Sequence, residues 1–182
     1  GRPVKTMYNR RENFYGLSQD ADSNTHFKVG FQDDGTITAV KIDQIVAKMG
    51  QYGIDHFEDN TRIPNLLLNY VEAQTNFSPA WWFRCEQNHN SFCFSAVFAH
   101  VADATGLDPT EVALKNDGVE GKDMEYLSKF KKDHGFPDRD SLKECIDKGK
   151  AAIDWDNKWH EPGKKVLPNG KLHGIGFTWD HE

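Results

Sequence analysis

The chain has 182 residues, of which 27% are charged and 12% are aromatic, and its formal net charge is −6. This length and composition are typical of one folded domain with a sizeable core and exclude a disordered tail. The acidic balance argues against nucleic-acid binding, and the lack of an apolar run of about 18 residues argues against a membrane span.

The two ends of the sequence and its cysteines suggest its context. The start, Gly1-Arg2-Pro3-Val4-Lys5, has neither an initiator methionine nor a signal-peptide pattern, and the last strand-like residues stop without a turn. We therefore expect residues 1–182 to form a single domain of a longer polypeptide. Three cysteines without disulfide-framework spacing favour reduced thiols and a cytoplasmic location: Cys85, Cys93 and Cys145.

The first third of the chain predicts a hairpin. Residues 3–8 favour a short strand, Asn9 can cap a short helix over 10–14, and the polar residues 18–24 indicate a loop. Apolar and polar residues then alternate over 27–31 and again over 36–48, on either side of Asp33-Asp34-Gly35. Because aspartate and glycine tolerate left-handed backbone angles, this pattern predicts an antiparallel hairpin.

The remaining elements are further strands and three helices. Residues 66–75 predict a buried strand after Pro64, and residues 172–179 a last strand. The apolar stripes predict helices over 91–105, 109–116 and 141–154, and the charge-rich residues 118–140 a surface excursion. The stripe of the first helix is Phe94, Val97, Phe98 and Val101, and that of the third is Leu142, Cys145, Ile146, Gly149, Ala152 and Ile153. The predicted fold class is α+β, with the hairpin and mixed strands packed against helices.

A polar stretch at 75–90 separates the 66–75 strand from the first long helix. It contains Trp81, Trp82, Arg84 and Cys85, just where a helix N-terminus exposes N–H groups that lack a helical acceptor. Those donors and the helix dipole favour an anion or a polar cofactor. The alternative is a capped helix start covered by aromatic side chains.

Three stretches carry a family resemblance in the order in which the family has them. They are Gly1–Lys5 with the 27–37 hairpin motif, Ile63-Pro64-Asn65 followed by Thr75-Asn76 and Phe83-Arg84, and residues 102–116 closing on Lys115-Asn116. They resemble the molybdopterin-binding subunit of the xanthine dehydrogenase, aldehyde oxidase and carbon monoxide dehydrogenase family. The resemblance spans nearly the whole chain and implies a fold like that of the molybdenum-cofactor-binding domain.

The resemblance also implies a site. In the family, a Phe-Arg-Gly-x-Gly-x-Pro-Gln turn lies against the pterin dithiolene and the molybdenum, and the matching cofactor-binding positions here are Phe83, Arg84 and Cys85. The chain departs from the family in three places. Gln87-Asn88-His89-Asn90 replaces Gly-x-Pro-Gln, and Glu86 replaces the aromatic residue of purine-oxidising members. Asp20-Ala21-Asp22 also replaces an Arg-His-Pro signature, and together these departures argue against a purine substrate.

The implied parent is a molybdenum hydroxylase that oxidises an aldehyde, an N-heterocycle or a similar carbon centre with water as oxygen donor. The implied cofactor is molybdopterin or its dinucleotide. The implied partners are the rest of the parent chain, iron–sulfur and FAD subunits or domains, and a small-molecule substrate. The family's Gly-rich segment and its late catalytic glutamate have no counterpart here, so we assign no catalytic residue and expect the isolated chain to be inactive and free of cofactor. The alternative is a non-catalytic scaffold or subunit-contact domain of the same superfamily.

Two metal hypotheses concern the same stretch. Carbon monoxide dehydrogenases carry a copper-binding cysteine at the position of Cys85, but their next residues, Ser-Phe-Arg, are Glu86-Gln87-Asn88 here. Cys85, His89 and Cys93 are spaced as zinc ligands on a helix, although a structural zinc site needs a fourth ligand. We assign no metal ligand, because the other histidines show no mutual ligand spacing and are interpreted as ordinary surface or hydrogen-bonded residues: His26, His56, His100, His134, His160, His173 and His181.

Overall fold

A computed structural model describes residues 1–16, 23–47, 57, 61–76, 87–118 and 141–179. The elements are helix α1 (Arg10–Gly16), strands β1 (Ser23–Phe31), β2 (Ile37–Ala47) and β3 (Leu66–Ala73), and helices α2 (Gln87–Thr105), α3 (Pro109–Asn116), α4 (Ser141–Ile153) and α5 (Trp155–Lys158). The described strands form one sheet in the order β1-β2-β3. The β1–β2 pair is antiparallel and the β2–β3 pair is parallel. This mixed sheet with its helices confirms the α+β class.

The predicted hairpin is confirmed. Its turn is closed by hydrogen bonds from the Gln32 N–H to the Thr36 carbonyl and from the Gly35 N–H to the Gln32 carbonyl, both at 2.9 Å. Gly35 has a φ of +82°, a conformation that glycine adopts without steric cost. The predicted loop over 18–24 is wrong at its end, because Ser23 and Asn24 continue the ladder with β2.

Strand β3 is present, but the prediction that it is buried is wrong. Leu67 is 54% exposed and Leu68 37% exposed. Among the described strands, β3 has a neighbour only on its β2 side, so it forms an edge of the sheet. The run of leucines therefore predicts the strand correctly, but whether their side chains are buried depends on which other elements pack against the strand.

The core lies between one face of the sheet and the helices. Val40, Ile42 and Val46 alternate along β2 and point inward, whereas Ile45 points outward and is 54% exposed. The cluster of buried apolar residues comprises Ile37, Val40, Ile42, Phe57, Ile63, Phe94, Val97, Phe98, Val101, Ala102, Val112, Ala113, Leu142, Ile146 and Trp179. The predicted stripe of α2 is thus confirmed in full.

The helix predictions are correct in place and need two corrections. Helix α2 begins at Gln87, four residues before the predicted start, so the polar residues 87–90 are its first turn. In α4, only Leu142 and Ile146 of the predicted stripe are buried, whereas Cys145 and Ile153 are exposed. The C-terminal half of α4 therefore lies at the surface of the described structure.

Neither predicted terminal strand forms. Residues 1–9 have no regular structure and are exposed, with Val4 at 90%. In the C-terminal part of the chain, the strand pairing is limited to one isolated antiparallel bridge, between Val166 and Leu172. The segment beyond it still contributes Phe177 and Trp179 to the core. Val4 and Met7 near the start, and the apolar residues of 172–179, indicated strands, but the described residues supply no partner strand for either segment.

Two further findings concern extent. The predicted surface excursion, except for Gly118, lies outside the described residues. No helix in the described part of the chain has the length and apolar character required to cross a bilayer.

Candidate functional site

The residues predicted to contact a cofactor lie outside the described part of the chain: Phe83, Arg84 and Cys85. The paired tryptophans and the Asp20-Ala21-Asp22 segment lie outside it as well. The structure describes the elements on either side of the predicted turn, namely β3, which ends at Ala73, and α2, which begins at Gln87. The turn itself therefore stays a prediction, and only the elements before and after it are described.

The N-terminus of α2 follows the predicted turn directly. This helix has 19 residues, and its first turn contains no acidic residue. Its first N–H groups have no acceptor within the helix, and the helix dipole places partial positive charge at this end. The backbone beside Cys85 is therefore suited to an anionic group, which gains about 0.3–1 kcal/mol from such a terminus.

The position of this helix end is set by aromatic packing two turns further on. The Phe94 ring is fully buried, and its centroid lies 4.9 Å from that of Phe57, 4.8 Å from that of Phe98 and 4.9 Å from that of Trp179. All three contacts are edge-on, a favourable arrangement for aromatic rings. Helix α2 is thus held where the sheet and the C-terminal segment meet.

Ser95 adds a polar connection to the C-terminal segment. Its hydroxyl donates to the carbonyl of Trp179 at 3.2 Å, so the Thr178 hydroxyl, at 2.8 Å, donates to Ser95 Oγ. These bonds fix residues 177–179 against the first half of α2. The segment therefore helps to position the helix that follows the predicted turn.

The first and third family-like stretches meet at Asn116. Its side-chain oxygen accepts from the Ile37 N–H at 2.8 Å, and its nitrogen donates to the Gly35 carbonyl at 2.9 Å. Beside it, Lys115 Nζ lies 2.9 Å from Asp34 Oδ2. The Lys115 hydrogen bond and that from Thr36 lower the pKa of Asp34 to about 2. The Lys115-Asn116 motif therefore joins α3 to the hairpin turn and has a structural role.

The second family-like stretch is fixed to β2. The side-chain nitrogen of Asn65 donates to the Thr38 carbonyl at 2.9 Å. The backbone carbonyl of Asn65 accepts a hydrogen bond from the Val40 N–H, also at 2.9 Å. Ile63 is buried in the core. These contacts set where β3 begins, and β3 leads towards the predicted turn.

Asp108 holds the start of α3 and links it to α4 and α5. Its Oδ1 caps the helix by accepting from the Thr110 N–H at 2.8 Å, as the sequence predicts. Its Oδ2 accepts from Trp155 Nε1 at 2.8 Å and lies 3.4 Å from Lys150 Nζ. Burial raises the pKa of Asp108, but these bonds and the Lys150 charge outweigh it, so the pKa is below the usual value.

The zinc hypothesis gains no support from the described residues. Cys93 is half-buried, and burial raises the pKa of its thiol, which disfavours the thiolate that a metal needs. The side chains of Cys85 and His89 lie outside the description. Where side chains are described, no three histidine, cysteine or acidic groups converge as a metal site.

The structure reveals one pair that the sequence did not predict. His160 Nε2 and His173 Nδ1 lie 2.8 Å apart, so these two histidines are hydrogen-bonded to each other, which agrees with their interpretation as ordinary surface or hydrogen-bonded residues. A turn at 167–170 and the Val166–Leu172 bridge fold the chain back between them. The Pro168-Asn169-Gly170 sequence was the available signal for this turn.

Comparison with known families decides the assignment. The family described as the molybdopterin cofactor-binding domain matches residues 1–117. The chain belongs to this family. Both contact networks, the one that joins Asn116 to the hairpin turn and the one around Asn65, fall within the matched residues. The resemblance of the sequence to molybdopterin-binding subunits is thereby confirmed.

Relatives of this molybdopterin cofactor-binding domain are xanthine dehydrogenases and a related oxidase. The xanthine dehydrogenase of Drosophila pseudoobscura pseudoobscura is 26% identical over 198 residues, covering 99% of this chain and 14% of that protein. The probable hypoxanthine oxidase of Escherichia coli (strain K12) is 25% identical over 182 residues, covering 88% and 19%. The xanthine dehydrogenase/oxidase of Mus musculus is 24% identical over 196 residues, covering 98% and 14%. The chain thus spans 14% to 19% of the length of these relatives.

The described residues of this molybdopterin-binding domain suit its cofactor at one point. The molybdenum cofactor carries a phosphate and metal-bound oxygen ligands, all of which accept hydrogen bonds. The first turn of α2 offers backbone donors without a competing acidic side chain of its own. The donor set next to Cys85 therefore fits the group that the family binds.

Proposed function

We propose that this chain forms one wall of the cofactor site of a molybdenum hydroxylase. The parent enzyme oxidises an aldehyde, an N-heterocycle or a similar carbon centre, with water as the oxygen donor. The proposal is supported by the family match over residues 1–117. It is also supported by the sequence position of the predicted turn, Phe83–Cys85, just before α2, which begins at Gln87. The relatives named as xanthine dehydrogenases and hypoxanthine oxidase are oxidoreductases, which supports this reaction class.

The proposed roles of the turn residues follow from their chemistry. Arg84 maintains the shape of the turn and adds positive charge, and Cys85 is small enough for the cofactor to approach the backbone. N–H groups of the turn and of the first turn of α2 donate to anionic groups, each such bond being worth roughly 1.5–3 kcal/mol. When bound, the cofactor would take up the electron pair released as a substrate C–H bond is replaced by a C–OH bond from water.

The parent also needs groups that we place outside this chain. A carboxylate general base, iron–sulfur centres and an FAD domain or subunit would complete proton removal and electron transfer. The cofactor would be molybdopterin or its dinucleotide. Because Cys85, Cys93 and Cys145 lack disulfide-framework spacing, we propose a cytoplasmic parent.

We propose a substrate other than a purine. Glu86 occupies the position at which purine-oxidising members carry an aromatic residue, and Asp20-Ala21-Asp22 replaces their Arg-His-Pro signature. A carboxylate cannot stack on a purine ring as an aromatic side chain does. An aldehyde or a smaller heterocycle suits these positions better, although the relatives are named for purines.

The test is elemental and isotopic analysis of the intact parent polypeptide. We expect stoichiometric molybdenum and, with water labelled by oxygen-18, labelled product from an aldehyde or heterocycle but not from hypoxanthine or xanthine. The isolated 182-residue chain should bind no stoichiometric molybdenum and oxidise none of these compounds. A parent without molybdenum would instead favour the alternative of a non-catalytic scaffold. The replacement of the family's Gly-x-Pro-Gln by residues 87–90 is the sequence feature that favours this alternative.

A further inference from the structure

A cavity of about 330 Å³ lies between the C-terminal half of α2, the α2–α3 connection and residues 159–163 and 173–177. It is lined mainly by apolar and aromatic side chains, including Ala102, Leu107, Trp159, Ile175 and Phe177. Its volume is at the lower end for pockets that bind small molecules. Its first lining residue on α2 is Ala99, and the helix rises about 18 Å between Gln87 and that residue.

Two histidines supply the central polar groups of this cavity, and their protonation can be read from their partners. His160 Nδ1 lies 2.8 Å from the Glu161 carbonyl, which can only accept, so this nitrogen carries a proton. In neutral His160, Nε2 is then an acceptor. Across the 2.8 Å contact, His173 Nδ1 must therefore donate to it.

This arrangement leaves Nε2 of His173 as a bare acceptor. Burial, then the charges of Lys165, His160 and Lys158, lower the pKa of His173, which keeps its ring neutral. The described residues supply no hydrogen-bond partner for this Nε2. His173 is half-buried and lines the cavity, and a polar acceptor among apolar lining residues is a feature of small-molecule sites.

We propose that this cavity binds a small, uncharged aromatic compound that donates an N–H or O–H group to Nε2 of His173. Trp159 and Phe177 provide aromatic surface for such a compound. The described residues of the lining include no lysine or arginine to bind an anion. Its carboxylates belong to exposed residues, Asp103 and Glu161, and Glu161 lies 3.6 Å from Lys164. A charged ligand would lose hydration against the apolar lining without gaining a buried counterion.

The same geometry predicts a dependence on pH. If His173 takes up a proton, its Nε2 becomes protonated while its Nδ1 still donates to His160. The free end then becomes a donor, so a donor ligand loses its partner. Binding should therefore be strongest where the His173 ring is neutral. Other charged or titratable groups around the pair are Lys158, Lys164, Lys165, Asp103 and Glu161.

The test compares indole with 1-methylindole, which has similar shape but no N–H group. Calorimetric titration of the intact parent polypeptide at pH 8 should show indole bound about two- to tenfold more weakly by a His173→Phe variant, since one hydrogen bond is lost. Binding of 1-methylindole should not change. His26→Phe, which alters an exposed histidine on β1, is the matched control and should leave both affinities unchanged.

Equal losses for both compounds, or no loss for either, would overturn the proposal. If His173→Phe does not fold, an indole carrying a photoreactive azide can be used with the wild-type protein. Labelling within 159–163 or 173–177 supports the site, and labelling confined to other peptides refutes it. Molybdenum content plays no part in either readout, so failure here leaves the proposed function untouched.

Discussion

The side-chain oxygen of Asn116 accepts a hydrogen bond at 2.8 Å from the backbone N–H of Ile37, which lies 79 residues earlier. The Asn116 nitrogen donates to the carbonyls of Gly35, at 2.9 Å, and Val112, at 2.8 Å. Asn116 is only 3% exposed, so one carboxamide satisfies three backbone groups in the interior. It thereby holds the hairpin turn against α3.

Replacing Asn116 with alanine should destabilise the protein strongly. Each buried backbone group left without a partner costs about 1–3 kcal/mol. Asn157→Ala is the matched control, because the Asn157 side chain is exposed and bonds only locally, to Asp154. Urea unfolding should show a loss of several kcal/mol for Asn116→Ala and a change within about 0.5 kcal/mol for Asn157→Ala. Similar small losses for both would refute this role of Asn116.

Gly35 and Gly170 allow backbone strain to be separated from steric conflict. Both have positive φ, +82° and +78°. A Cβ at Gly35 would lie 3.0 Å from Leu107 and 3.2 Å from Val112, whereas one at Gly170 would meet nothing within 4 Å. Both alanine variants should lose about 1 kcal/mol from the left-handed backbone. The free energy of unfolding should fall further only for Gly35→Ala, and equal losses would contradict this contact.

Asp108 should make stability sensitive to acid. Its pKa is lowered in the folded protein, where hydrogen bonds from Thr110 and Trp155 outweigh the effect of burial. A carboxylate of this kind stabilises above its unfolded pKa of about 3.9, and the contribution is lost as the pH falls through the folded pKa. Asp108→Asn should lower stability at pH 7 and flatten its decline below about pH 4. Urea unfolding across pH tests this, and Asp103→Asn, at an exposed position on α2, is the control. If the stability of Asp108→Asn fell with pH as steeply as that of wild type, this role of Asp108 would be refuted.

Neighbouring phenylalanines on α2 test the core assignment. Phe94 is fully buried between three aromatic rings, and Phe92 is 74% exposed. Phe94→Ala should cost about 3–5 kcal/mol, and Phe94→Asp should unfold the protein. Phe92→Ala should change thermal stability little. Comparable melting temperatures for the two alanine variants would show that α2 packs through another face.

Local chemistry made much of the fold predictable. Asp33-Asp34-Gly35 predicts its turn because the required backbone angles are a property of those residues. Asp108 predicts the start of α3 for the same reason, since its side chain caps the helix locally. Such signals depend only on residues that are close in sequence, so they can be recognised without knowledge of the tertiary structure.

Properties that depend on distant partners were harder to predict. The leucines of β3 were expected to be buried, but a strand at the edge of the sheet leaves Leu67 exposed. The 172–179 segment was expected to form a strand, but no described strand pairs with it. His160 and His173 meet only because the chain turns between them. Phe83–Cys85 were assigned through the family resemblance, and the residue pattern itself predicted only that a helix N-terminus suited to an anion follows them.

The most direct test of the account is molybdenum analysis, alongside a thermal melt, of the intact parent polypeptide carrying Cys85→Trp. If Phe83–Cys85 form the cofactor turn, the bulky side chain blocks the approach to the backbone. The variant should then melt like wild type but retain no molybdenum. Cys145→Trp, at an exposed position on α4, is the control and should retain it. A Cys85→Trp protein with full molybdenum and full activity would contradict the account.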